Sequence, residues 1–148
     1  MKIGFIGLGN VGFKLANSIL ESGFDLLIND LDKNTGKSLI EKGAKWIETP
    51  KALAQESNIS ITCLPSPSVV SNVLEGSKGL IEGMGPGKLW IEMSTTHDKE
   101  MQRLASLVID KNAFAIEAPV SGGCHRAATG NIAILVGGTR EAFDLAMP

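Results

Sequence analysis

The sequence predicts an α/β fold, a doubly wound and mostly parallel sheet with helices on both faces. Apolar runs of strand length alternate with stretches of helical periodicity from one end of the chain to the other. The clearest strand-like runs, Lys2–Ile6 and Asp25–Asn29, are nearly continuous in apolar residues, as strands covered on both faces are. Glycine punctuates the pattern: 17 of 148 residues exceed the usual level of roughly 7%, and they gather at 4–12, 76–87, 122–123 and 137–138, where turns are required.

Each element has its own signal. Lys2–Ile6 reads as the first buried strand. Asn10–Ser22 carries Val11, Leu15, Ile19 and Leu20 at helical spacing, and Gly23 closes it as a C-cap does. Asp25–Asn29 is the second strand, Asp32–Lys42 a helix closed by Gly43, and Ala44–Ile47 a third, weaker strand. Pro50 suits the first turn of a short helix through Glu56. Asn58–Leu64 is a fourth strand, stopped by Pro65. Ser68–Leu74 is helical, Lys88–Met93 is a fifth strand, and Thr96–Asp110 is an amphipathic helix on Met101, Leu104, Ala105 and Val108. Ala113–Ala118 and Ile132–Val136 complete the strands, and Thr139–Met147 starts another helix. The length predicts one domain over residues 1–148.

Composition removes several classes of function. With 43% hydrophobic residues the chain can form a sizeable core. A formal net charge of −2, with both signs interspersed, offers no footprint for nucleic acid. No apolar stretch approaches the roughly 20 residues that cross a bilayer, so no membrane partner is expected. Gly4 and Gly7 interrupt the first apolar run too early for a signal peptide. Cys63 and Cys124 lie far apart without metal-ligand spacing and read as reduced thiols of a cytoplasmic protein.

Gly7-Leu8-Gly9-Asn10-Val11-Gly12 fits G-x-G-x-x-G directly after a predicted strand and at the opening of a predicted helix, the context that gives the pattern a mechanism. Gly7 permits the tight turn, Gly9 lets backbone approach a pyrophosphate, and Gly12 lets the helix pack closely on the strand. The helix N-terminus then offers unpaired N–H groups to the phosphates. Asp30, at the end of the second strand, is the acid the fingerprint expects roughly 20 residues on, where it accepts hydrogen bonds from the adenosine ribose. Together these residues predict a Rossmann-type dinucleotide site. A 2′-phosphate beside Asp30 would be repelled by about 4 kcal/mol at about 4 Å and an effective dielectric of about 20. No arginine lies between Gly12 and Gly43, and Lys33 and Lys37 read as solvated helix charges. NAD is therefore favoured over NADP.

The segment Phe5–Gly12 closely resembles the opening of the β-hydroxyacid dehydrogenases, the 3-hydroxyisobutyrate dehydrogenase family. Glu117-Ala118-Pro119-Val120-Ser121-Gly122-Gly123 is similar to that family's substrate-binding motif, D-A-P-V-S-G-G. Cys63-Leu64-Pro65 and Met93-Ser94-Thr95-Thr96 resemble two further segments that touch the cofactor. Val11, Lys14, Leu15 and Glu117 stand where the family more often has methionine, proline, methionine and aspartate. Beside the glycine loop (Gly7, Leu8, Gly9, Gly12), the resemblance implies that Asn10, Val11, Asp30, Leu64, Pro65 and Thr95 contact the dinucleotide. It also implies that Ser121, Gly122 and Gly123 anchor a substrate carboxylate. Read alone, that Ser-Gly-Gly turn either presents a hydroxyl and N–H groups to an anion or is an ordinary turn.

The resemblance further implies oxidation of a small β-hydroxy acid to its semialdehyde by a full-length enzyme that is homo-oligomeric. It implies a second, all-helical domain with a general acid/base lysine in a motif similar to G-x-x-G-x-G-x-x-x-K-x-x-N-N. No segment here matches that motif. The expectation is therefore the first half of such an enzyme, with no catalytic residue assigned before Pro148 and no activity by itself. Two other readings stand beside it: an imine reductase-like oxidoreductase, which generally uses NADPH, and a non-catalytic dinucleotide-binding module. A hydrolase built on Ser121, Cys124 and His125 is set aside, because the G-x-S-x-G elbow is absent. His125 and Arg126 read as loop residues near the substrate, His97 as an exposed residue near a helix start, and Trp46 and Trp90 as core or interface packing.

Overall fold

A computed structural model describes residues 1–147; the expected domain end, Pro148, lies outside the described residues. Its frame is β1 (Lys2–Ile6), α1 (Gly12–Glu21), β2 (Asp25–Asn29), α2 (Lys37–Glu41), β3 (Lys45–Trp46), α3 (Pro50–Glu56), β4 (Ile59–Thr62), α4 (Pro67–Glu75), β5 (Leu89–Glu92), α5 (Asp98–Ile109) and β6 (Phe114–Glu117). There follow β7 (Val120–Ser121), α6 (Gly123–Ala128), β8 (Ala133–Ile134), β9 (Gly137–Gly138) and α7 (Arg140–Ala146). The main sheet runs β3-β2-β1-β4-β5-β6-β9, parallel throughout except for β9.

Period-two alternation divides the strand side chains between two cores. Ile3 and Phe5, Leu26 and Ile28, Ile59 and Ile61, Leu89 and Ile91 face Leu15 and Ala16 of α1, Leu39 of α2, Ala127 of α6 and Ala142 of α7. Ile6, Leu27 and Trp90 face Leu53, Val70, Leu74, Leu104 and Val108 of α3, α4 and α5. Both faces are covered, as a parallel sheet requires, because each crossover helix must return over the sheet it left.

Helix starts follow short-range chemistry. Thr49 and Ser66 each accept a hydrogen bond from an amide one turn on, at Ala52 and Val69, and each is followed by a proline at the first helical position. Thr139 caps α7 in the same way through the amide of Ala142.

Several expectations are corrected. Ile132–Val136 does not complete the main sheet; Ala133–Ile134 pairs antiparallel with Val120–Ser121 in a separate two-stranded ribbon. Pro119, which has no N–H for a ladder, ends the preceding strand and sends the chain out of the sheet. The edge place is taken instead by Gly137–Gly138, antiparallel to β6, although a glycine pair reads as a turn. The helix expected over Asp32–Lys42 opens as a 3₁₀ turn at Lys33–Gly36, capped by the Asp32 carboxylate on the Asn34 amide. The helix expected from Thr96 begins only at Asp98. Within the supposed turn 76–87, Leu80–Gly83 forms a 3₁₀ helix whose Leu80 is fully buried. Gly123–Ala128 is helical, so His125 and Arg126 are exposed helix residues and not loop residues.

Candidate functional site

After β1 the chain winds to β2 on one side of the sheet, and from β4 it winds to the other. The loops leaving β1 and β4 therefore diverge and open a crevice at the carboxyl ends of the strands, where doubly wound sheets bind ligands. A cleft of about 1080 Å³ lies there. Its walls are Gly7 and Gly9–Gly12 after β1, Asn29–Leu31 and Lys33 after β2, and Trp46, Glu48 and Pro50 after β3. Cys63–Pro65, then Val69, Asn72 and Val73 of α4, Met93–Thr95 after β5, and Val120 close the other side.

The glycine loop has the shape its sequence demands. Gly7 has φ +98°, and a side chain there would overlap the carbonyl oxygen of Cys63. A side chain on Gly12 would overlap the carbonyl oxygen of Gly7, so α1 can close on the turn only without one. Gly9 differs: no atom lies within 4 Å of where its Cβ would stand, and the position opens into the cleft. That is a cradle left open for something large that must touch backbone, and a pyrophosphate fits it.

Asp30 is held by two backbone donors. Its Oδ2 accepts from the amide of Leu8 at 2.6 Å and its Oδ1 from the amide of Asp32 at 3.0 Å. Beside it, Lys33 pairs with Glu48 at 3.0 Å and lies 5.5 Å from the centre of the Trp46 ring. The Lys33 ammonium holds the Glu48 carboxyl below its ordinary value.

The far side rests on buried polar groups. The amide of Leu64 donates to Ser94 Oγ at 2.7 Å, and the amide of Ser94 donates to Glu92 Oε1 at 2.6 Å. Thr62 Oγ1 donates to Glu92 Oε2 at 2.6 Å and accepts from Trp90 Nε1 at 2.8 Å. Glu92 is wholly buried, which pushes its carboxyl up against the pull of these donors. Burial likewise pushes the Cys63 thiol up to about 11, leaving a poor nucleophile.

All the residues expected at the dinucleotide line this cleft except Leu8, whose side chain is in the core and whose amide is committed to Asp30. Ser121, Gly122 and Gly123 are exposed and lie just beyond Val120, the last lining residue. His97 is exposed, and neither histidine lines the cleft. Trp90 is core, but Trp46, expected in packing, is half-buried in the cleft wall. Lys33 and Glu48 were also missed as site residues. The signal for them was the third strand itself: Ile28 pairs with Trp46, so whatever follows Trp46 emerges beside Asp30.

Among the described residues no helix is long and apolar enough to cross a membrane. The chain is 41% identical over 146 residues to the oxidoreductase YkwC of Bacillus subtilis, covering 99% of this chain and 51% of that protein. It is 34% identical over 144 residues to a probable mitochondrial 3-hydroxyisobutyrate dehydrogenase of Dictyostelium discoideum, covering 97% of this chain and 45% of that one. Among solved structures, Psf3 in complex with NADP+ and 2-OPP superposes with a TM-score of 0.94 at 27% identity, over 99% of this chain and 52% of that chain. The chain thus spans about half the length of the relatives it matches. The family described as the NAD binding domain of 6-phosphogluconate dehydrogenase matches residues 2–148, and this chain belongs to it.

Proposed function

We propose that this chain is the NAD-binding half of a homo-oligomeric dehydrogenase that oxidises a small β-hydroxy acid to its semialdehyde. The observation that carries the reading is the single cleft in which the open Gly9, the anchored Asp30 and the loops at Leu64 and Thr95 meet. NAD, when bound, supplies the hydride acceptor. The residues of this chain hold it. The Gly7–Gly12 loop takes the pyrophosphate, Asp30 takes the ribose hydroxyls with its remaining lone pairs, and Leu64, Pro65 and Thr95 bound the other half. Ser121 with the amides of Gly122 and Gly123 anchors the substrate carboxylate at the end of the cleft. The alcohol proton goes to a base that this chain does not supply.

Calorimetric titration of the 148-residue chain tests the cofactor half of this reading. NADH binds, and NADPH binds at least about tenfold more weakly, a difference of about 1.4 kcal/mol. Equal affinities would sink the NAD preference, and no binding of either would sink the site. Incubation with NAD and 3-hydroxyisobutyrate, followed by NADH absorbance, gives no turnover from this chain alone, because a positioned base is worth about 10²–10⁴-fold. In a complete enzyme carrying this half, Ser121→Ala raises KM; unchanged kinetics would remove Ser121 from the substrate site.

A further inference from the structure

Alternation along the strands places Thr62, Trp90 and Glu92 on one face of the sheet, the face otherwise packed by leucine and valine. Glu92 has no exposed surface, and a carboxylate there is costly unless its oxygens are bonded. Both oxygens are, and to different loops. Oε2 reaches across to Thr62 on β4, the last strand residue before Cys63-Leu64-Pro65. Oε1 turns up to the amide of Ser94, within Met93-Ser94-Thr95 after β5. Ser94 completes the circuit, since its hydroxyl oxygen accepts the amide of Leu64. The outer end of β4 and the outer end of β5 are thereby tied together through one side chain, with Trp90 Nε1 fixing the Thr62 hydroxyl from below.

The position in the sheet says which part of a bound dinucleotide these loops meet. Asp30 after β2 marks the adenosine end, and the glycine loop after β1 marks the pyrophosphate. β4 and β5 lie on the opposite side of β1 from β2, so Leu64, Pro65 and Thr95 face the nicotinamide half. We infer that Glu92 is a positioning residue for the nicotinamide half of the cofactor, acting through Thr62 and Ser94 to hold the Leu64 and Thr95 loops in register. It touches no ligand itself, because it lies beneath the cleft and does not line it. A core carboxyl with only a packing role would need partners anywhere. This one spends its partners on the two segments whose relative position sets the width of the cleft. The inference rests on the proposed dinucleotide site.

The test compares two ligands on the same chain. NADH needs both halves of the cleft, whereas ADP-ribose needs only the glycine loop and Asp30. Wild-type binding of NADH is the control for the site itself; its failure would sink the proposed function and not this inference. Glu92→Leu and Ser94→Ala each weaken NADH by about threefold to tenfold, the worth of one or two hydrogen bonds, while ADP-ribose changes less than about twofold. Glu92→Gln restores NADH binding, since an amide can accept from Ser94 and donate to Thr62. Thermal melts identify unfolded variants, and should Glu92→Leu fail to fold, Ser94→Ala carries the comparison. Equal losses for both ligands, or unchanged NADH binding in Ser94→Ala, would overturn the inference and leave Glu92 a packing residue. A Glu92→Gln variant as weak as Ser94→Ala would overturn it too, because hydrogen-bond geometry is what the tie requires.

Discussion

The amide of Leu8 donates to the carboxylate of Asp30 at 2.6 Å, so the second residue of the glycine loop is bonded to the residue that ends the neighbouring strand. Asp30 is thus part of the loop's construction as well as a partner for ribose, and the two roles are separable. Asp30→Ala removes both and leaves the Leu8 amide without its acceptor. NADH affinity falls by about tenfold or more, and the NADH-to-NADPH ratio narrows as the repulsion of a 2′-phosphate disappears. Calorimetric titration with both nucleotides reads both effects; a ratio unchanged by the substitution would mean that Asp30 does not set the preference.

Gly9 and Gly12 separate binding from folding. Gly12→Ala drives a methyl group into the Gly7 carbonyl and costs about 1–3 kcal/mol in a denaturant melt. Gly9→Ala meets no protein atom, so stability stays within about 0.5 kcal/mol while the methyl group stands in the space the pyrophosphate needs. NADH titration of a fully folded Gly9→Ala protein is the measurement. Undiminished affinity would place the phosphates elsewhere.

Lys33 is held back from the mouth of the cleft by Glu48. The pair is 3.0 Å apart with 61% and 75% of the side chains exposed, so it is worth no more than about 1 kcal/mol. Glu48→Gln releases the ammonium beside Asp30 and raises NADPH affinity by up to about fivefold, with NADH changed less than about twofold. The gain vanishes in the double variant Lys33→Met/Glu48→Gln. If NADPH affinity rises equally there, Glu48 acts directly and not by restraining Lys33.

Between α4 and α5, Arg103 donates to both oxygens of Glu75 at 2.8 and 2.6 Å and also to Glu100. Arg103, with the hydroxyl of Ser71, brings the Glu100 carboxyl from its ordinary 4.5 down to about 2. A carboxyl depressed in the folded state contributes stability above its unfolded value and loses it as pH falls through the folded one. Arg103→Met therefore lowers Tm at pH 7, and the difference from wild type closes between pH 4.5 and about 2. A gap that persists at pH 2 would assign the loss to packing by the arginine stem.

The sequence by itself determined the order of elements, the strand cores and the glycine loop, because those rest on short-range facts. Lys2–Ile6, Asp25–Asn29 and Pro50–Glu56 are bounded as their apolar runs and caps predict. The Gly7–Gly12 loop and Asp30 were legible for the same reason: a tight turn needs glycine, and a strand end needs only counting. Tertiary structure decided what depends on which strand lies beside which. Nothing local to Trp46, Lys33 or Glu48 announces a cleft; they line it because β3 pairs with β2 and delivers them next to Asp30. Nothing local marks Ile132–Val136 as excluded from the main sheet, since an apolar run cannot specify its partner and Pro119 redirects the chain well before it. Glu92 reads in sequence as a lone acid at a strand end. Only the pairing of β4 with β5 sets Thr62 beside it, and only the folded loops set the Leu64 amide on Ser94, so its hydrogen bonds exist in the packed sheet and nowhere in the one-dimensional pattern.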